Sequence, residues 1–167
     1  MNWLVALFLV LHVGGAIIAF GPSFVFPLIG SMAGKEPMHT NFALRLGELI
    51  EMRLVLPLAV FQAVTGVGLI WTVGIDVFAH LWLLIGIVLY VIALGIAFGN
   101  QLPVTRKLIE LTSTPPPPPV PGAPAPAGPP PQVAALVKRN RQGGMILTVL
   151  LLTIIILMVL GANGFIG

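Results

Sequence analysis

The sequence contains no cysteine, which removes disulfides, thiolate nucleophiles, iron-sulfur clusters and cysteine-zinc sites from consideration. Charge is almost as scarce: Asp, Glu, Lys and Arg make up 8% of the 167 residues, against about a quarter of an ordinary soluble domain. No nucleophile-base pair and no glycine-rich phosphate loop is legible, so no catalytic constellation emerges. The basic residues flank apolar runs rather than forming one patch, which argues against a nucleic-acid partner. The start, MNWLVALF, lacks the basic region of a signal peptide, so the first apolar run is expected to be retained.

What is present is apolar. Hydrophobic residues reach 57% and the mean hydropathy is +1.06, the composition of an integral membrane protein. Four runs are long enough to cross a bilayer as helices: residues 3–29, 54–73, 81–101 and 145–163. They predict an all-α membrane protein, a four-transmembrane-helix antiparallel bundle with a juxtamembrane amphipathic segment and a proline-rich cytoplasmic loop. The expected division is a three-helix membrane core over 1–101, a linker over 102–143 and a fourth transmembrane helix over 144–167.

Orientation follows from the cations. Lys35, Arg45 and Arg53 lie between the first and second runs, and Arg106, Lys107, Lys138, Arg139 and Arg141 between the third and fourth. All eight fall on one side, the cytoplasmic one by the positive-inside rule, with both ends of the chain opposite. Trp3, Trp71 and Trp82 fall at the other ends of their runs, where an aromatic belt is expected.

Residues 42–51 form an amphipathic prelude, with Thr40 or Asn41 able to cap it. Arg45 and Glu48 stand three apart and can pair, whereas Glu51 has no local basic partner. Pro57 removes a donor from the carbonyl of Arg53 and predicts a bend. Gly21-Pro22 and Pro27 interrupt the first run in the same way, freeing the carbonyls of Ile18 and Ser23. Residues 115–132, PPPPPVPGAPAPAGPPPQ, predict an extended spacer, which would free the fourth span from docking beside the third. That span, with large aliphatic residues from Val149 to Leu160, is expected to meet lipid or a partner's helix.

One ionisable residue sits deep in a span. His12 is nine residues in from Trp3, and an ionisable group in hydrocarbon is a functional-site hypothesis by default. Counting from the same end of the other spans, Thr65, Gln62, Tyr90 and Thr153 lie eight, eleven, nine and ten residues in, so one polar layer recurs at one level. Two uses fit it: interhelical hydrogen bonding, or a site for a ligand, proton or cofactor. Haem is the sharpest cofactor hypothesis, and His12 would have to serve alone or from two subunits, because His39 and His80 belong to the two opposite faces of the membrane. No metal site is expected. Phe8, Gly15, Ala16 and Ala19 share the His12 face, and Gly95 with Gly99 forms a GxxxG pair in the third span.

The stretches LHVGGAIIAFGPSFVFP and LPLAVFQAVTGVGLIW, with the spans around them over about residues 1–101, resemble the bacterial four-helix predicted integral membrane proteins of unknown function. More distantly, a histidine followed by glycine and proline in the first span is similar to the copper-resistance D-like and haem-linked protoporphyrinogen-oxidising membrane families. The resemblance implies a bacterial plasma-membrane protein. The expected function is that of a non-enzymatic accessory or assembly subunit, its partners being the lipid bilayer and other membrane subunits or further copies of itself. A His12-linked small-ligand or haem-binding protein is the alternative, and a channel or transporter the third.

Overall fold

The computed structural model describes residues 2–114 and 128–166. Helix α1, Trp3–Phe20, starts where the Asn2 side chain accepts the Leu4 N–H at 3.2 Å. It stops at Gly21-Pro22: Pro22 has no N–H for the carbonyl of Ile18, and the chain tightens into a 3₁₀ turn over Gly21–Phe24. Helix α2, Phe26–Lys35, resumes with Pro27 in its first turn, where the missing donor costs nothing. A second short turn, Pro37–His39, leads to α3, Thr40–Ile50, and α4, Leu56–Val73. Gly74, at φ +70°, ends α4 in the left-handed conformation that glycine adopts without strain. Helices α5, Leu81–Ile96, and α6, Leu102–Leu111, follow, then α7, Pro131–Ala162.

Two junctions share one device. Between α3 and α4, residues Glu51–Val55 form a π-helical turn, and between α5 and α6, Ala97–Gln101 form another. Each precedes a Leu-Pro pair, Leu56-Pro57 and Leu102-Pro103. The proline ring would strike the carbonyl four residues back in an α-helix, so the ladder widens just before it: Leu56 N–H bonds Glu51 O and Leu102 N–H bonds Ala97 O. The expected bend at Pro57 is thus absorbed within a continuous helical tract, Pro37–Val73.

The described residues are helical with no strand, and four helical tracts are long and apolar enough to cross a membrane: Trp3–Lys35, Pro37–Val73, Leu81–Leu111 and Pro131–Ala162. At 31 to 37 residues they outrun the roughly 20 needed for hydrocarbon, and they do so at the charged end. The third tract therefore continues past Gln101 to Leu111, where Leu102, Val104, Thr105 and Leu108 give α6 a buried face. The fourth begins at Pro131, well before residue 144, since Pro suits the first helical position and the Ala, Leu, Lys, Arg and Gln that follow are good helix formers. The spacer form expected for the proline-rich stretch falls on residues 115–127, outside those described.

In the membrane part, α1 packs along α4 and α5 along α7. The fourth span therefore docks beside the third, contrary to the expectation from the linker. Met158, within the aliphatic run, lies against Gly86, and Gly161, just beyond the run, lies against Trp82. Trp82 is 8% exposed and so packs inside the bundle, whereas Trp3 and Trp71 stay exposed as an interfacial belt requires. At the charged end α3 packs against α6, and α2 against α3. Neither Thr40 nor Asn41 caps α3. The Thr40 hydroxyl donates to Ala33 O of α2 at 3.0 Å, and the Asn41 amide donates to Ile109 O and Thr112 Oγ1 of the α6 end at 2.8 and 3.1 Å.

Candidate functional site

The helical period aims Phe8, His12, Gly15 and Ala19 of α1 at one neighbour, and the opposing face of α4 presents Gly68, Gly66, Thr65, Gln62 and Phe61. The helices run antiparallel, so Phe8 meets Gly68, His12 meets Thr65 and Gly66, and Gly15 meets Gln62 and Phe61. A Cβ at Gly68 would collide with the Phe8 ring, and one at Gly66 would sit 3.2 Å from His12 Cε1. Glycine at these two places is what lets α1 bring an imidazole against the α4 backbone.

His12 Nδ1 lies 3.0 Å from Thr65 Oγ1. The single Thr65 hydroxyl proton also has the carbonyls of Phe61 and Gln62 within reach, each 3.1 Å away within its own helix. With that proton on a carbonyl, the Thr65 oxygen accepts from His12 Nδ1–H; with it on His12 Nδ1, the ring is the other tautomer, and in both cases Nδ1 is the nitrogen that α4 holds. A hydrogen bond to one ring nitrogen orients the other for a ligand in many metal sites, and it also suffices to hold two helices together. Gln62 is buried, and its Oε1 has no hydrogen-bond partner among the described residues.

Of the polar layer read from the sequence, Thr65 is brought to His12, and the Gln62 side chain faces Gly15 nearly one turn away. The Tyr90 hydroxyl of α5 donates to Ala59 O of α4, nearly one turn away from Gln62, and ties the two helix pairs together. Thr153 takes no part: it is exposed, and its hydroxyl donates to Val149 O of its own helix at 2.9 Å. Depth along a helix was legible, but rotation about its axis was not. His80 and His39 lie away from the layer, His80 Nδ1–H donating to Asp76 O at 2.8 Å and His39 standing 3.9 Å from Glu36. No group of three His, Asp or Glu side chains able to hold a metal ion occurs among the described residues.

The charged end carries polar contacts that sequence spacing missed. Glu48 pairs with Arg106 of α6 at 2.8 Å and not with Arg45, because α3 and α6 lie side by side. Glu51, on the first position of the π turn, is 8% exposed. Across the α5–α7 contact, Gln101 Nε2 donates to Asn140 O at 3.0 Å, Thr105 to Asn140 Oδ1 at 3.2 Å, and Arg139 Nε to Asn100 Oδ1 at 2.6 Å. The signal that could have located this cluster is the repeated Leu-Pro, which marks Asn100 and Gln101 as residues of a widened turn. Gly95 and Gly99, the GxxxG pair, would meet nothing within 4 Å if each carried a Cβ. That pair is not a contact among the described residues.

Comparison with known proteins gives one family. Residues 6–161 match a family described as predicted integral membrane protein (DUF2269). No curated protein and no solved structure matches the chain.

Proposed function

Because the chain belongs to this family of predicted integral membrane proteins, we propose that it is a non-enzymatic accessory or assembly subunit of a larger complex in a bacterial inner membrane. The observation that carries this reading is the unfilled Gly95/Gly99 pair at the end of α5 and in the π turn after it, which offers a close approach that no helix among the described residues takes up. The polar groups around His12 support it, since they are spent on contacts between helices: His12 with Thr65, and Tyr90 with the Ala59 carbonyl. Exposed aliphatic residues of α7, among them Val149, Ile156 and Val159, add a second face for lipid or a neighbouring subunit. The test is to purify the tagged protein from native membranes, wild type beside a Gly95→Leu/Gly99→Leu double variant. Partner subunits should accompany the wild type and be lost from the variant. A wild-type protein that purifies alone overturns the reading.

In the proposed orientation the ends of α2, α3 and α6 and the start of α7 face the cytoplasm, and the Trp3 end of α1 and the Ala162 end of α7 face outward. All eight Lys and Arg residues support this. The absence of native cysteine makes the check direct. A cysteine at Asp76 should react with an impermeant maleimide on intact cells and one at Ser113 should not; the reverse pattern inverts the orientation.

A second reading is favoured by the His12 imidazole, whose Nδ1 is held by Thr65 at 3.0 Å as a ligating histidine's outer nitrogen would be. It makes the protein a small-ligand or haem-binding membrane protein, with Nε2 as the one nitrogen available to an iron. A Soret band in the purified protein that disappears in His12→Leu would place this reading first.

A further inference from the structure

One cleft lies where the apolar spans give way to the charged end. It has a volume of about 250 Å³ and is lined by Ile96, Asn100, Arg139, Gln142, Gly143 and Ile146. Its walls divide by chemistry along the helix axis. Ile96 and Ile146 belong to the apolar spans, and Arg139 lies seven residues before Ile146, about 10 Å toward the charged end. We propose that this cleft binds an anionic phospholipid of the leaflet at the charged end, with the headgroup phosphate on Arg139, Asn100 and Gln142 and the acyl chains along Ile96 and Ile146.

Three observations carry it. First, Arg139 is exposed yet positioned: its Nε donates to Asn100 Oδ1 at 2.6 Å, which leaves both terminal nitrogens of the guanidinium for a planar, two-pronged contact with phosphate oxygens. The π turn over Ala97–Gln101 supplies Asn100 at that point. Second, no carboxylate among the described residues neutralises this cation. Beyond Glu110 the sequence has no Asp or Glu, so α7 carries Lys138, Arg139 and Arg141 with no acidic residue, while Glu110 itself pairs with Lys107 at 2.9 Å. Arg139 has no carboxylate partner among the described residues. Third, Gly143 lets α7 come close to the residues that form the polar wall: a Cβ there would collide with the Gln101 amide and reach the Asn100 amide nitrogen at 2.6 Å, so a larger residue would displace the Asn100 and Gln101 side chains. A basic pocket between spans beside an anionic surface has the chemistry of a phosphate headgroup and the apolar wall that a free anion does not need. The inference stands whether or not the protein is an accessory subunit.

Native mass spectrometry of the delipidated full-length protein tests it, with phosphatidylglycerol, phosphatidylcholine and inorganic phosphate each offered alone. Phosphatidylglycerol should form the most abundant adduct, and Arg139→Gln should weaken that adduct about fivefold, the factor expected for one cation at an anionic surface. Ile146→Trp, which fills the apolar side and leaves the cations in place, should weaken the lipid adduct and spare any adduct of inorganic phosphate. Helical circular dichroism of both variants reports that they remain folded, and Ile146→Trp keeps the test decisive if Arg139→Gln unfolds. Equal adducts of the two lipids, or an Arg139→Gln protein that is folded and binds phosphatidylglycerol unchanged, overturns the proposal. Binding of inorganic phosphate that Arg139→Gln abolishes, with no preference for phosphatidylglycerol, assigns the cleft to free phosphate and overturns it as a lipid site.

Discussion

The half of the bundle around His12 and the end that carries the charges hold their helices together by different means. In the apolar half, contact depends on glycine: Gly68 receives the Phe8 ring, Gly161 lies under Trp82, and among the described residues two polar bonds cross between helices, one between His12 and Thr65 and one from Tyr90 to Ala59 O. At the charged end the links are polar and numerous, and they run between helices far apart in sequence: Asn41 to Ile109 and Thr112, Arg106 to Glu48, Gln101 and Thr105 to Asn140, Arg139 to Asn100. The contrast follows from the solvent. In lipid there is no hydrophobic drive between helices, so close packing and rare hydrogen bonds must serve. At the charged end α6 buries an apolar face, Leu102, Val104 and Leu108, while long side chains bridge from it to α3 and α7.

The strongest way to break this contrast is to fill one of the glycine contacts. Gly68→Leu should destabilise the protein by about 1–3 kcal/mol or more, as overpacking of a filled contact does, read from unfolding in mixed micelles. The same change at Gly95, where nothing lies within 4 Å, should be near neutral in stability. Equal effects at the two sites would mean that the apolar half is not organised by close approach.

Next comes the polar bond in that half. Thr65→Val keeps shape but leaves His12 Nδ1 without its partner, and should cost about 1–2 kcal/mol. His12→Leu should cost less, because Thr65 retains its bonds to Phe61 O and Gln62 O. The reverse order would mean that His12 stabilises through contacts other than this bond. A smaller effect is expected at the charged end: a double-mutant cycle on Glu48→Gln and Arg106→Gln should give a coupling of about 0.2–1 kcal/mol, falling as salt is raised, because the pair is partly exposed. Thr153→Val should change stability by less than about 0.5 kcal/mol, as expected for an exposed side chain bonded only within its own helix.

The spans, their number and the side of the bundle that carries charge were all readable, because hydropathy and the placement of lysine and arginine are one-dimensional signals. The face of α1 that bears His12 was readable as well, since Phe8, Gly15 and Ala19 share it by helical period alone. What could not be read is rotation between helices. Nothing in the order of residues distinguishes Thr65, turned to His12, from Thr153, turned outward at a similar depth. Pairing failed for a related reason: Arg45 stands near Glu48 in sequence, but Arg106 reaches it once α6 lies along α3. The extension of helix to Leu111 and back to Pro131 was hidden by composition, because polar residues and prolines read as linker until a neighbouring helix gives them a face to cover.

The two π turns set the rotational phase of the molecule. An extra residue within a helical turn advances everything beyond it by about 100° relative to an uninterrupted α-helix, so the faces of α3 and α6 are geared independently of the spans they continue. Both gears sit at the same junction and before the same dipeptide, and they turn together the two helices that meet through Glu48 and Arg106. Closure of Glu51–Val55 to α-helix at unchanged length would swing Glu48 and Asn41 off α6 by about a quarter of a revolution, with the membrane part of α4 unmoved, whereas loss of one residue as the turn closes would leave both flanks in phase. The same holds at Ala97–Gln101, so helix form and residue number at these two places are coupled by the contact they share and not by their distance in sequence.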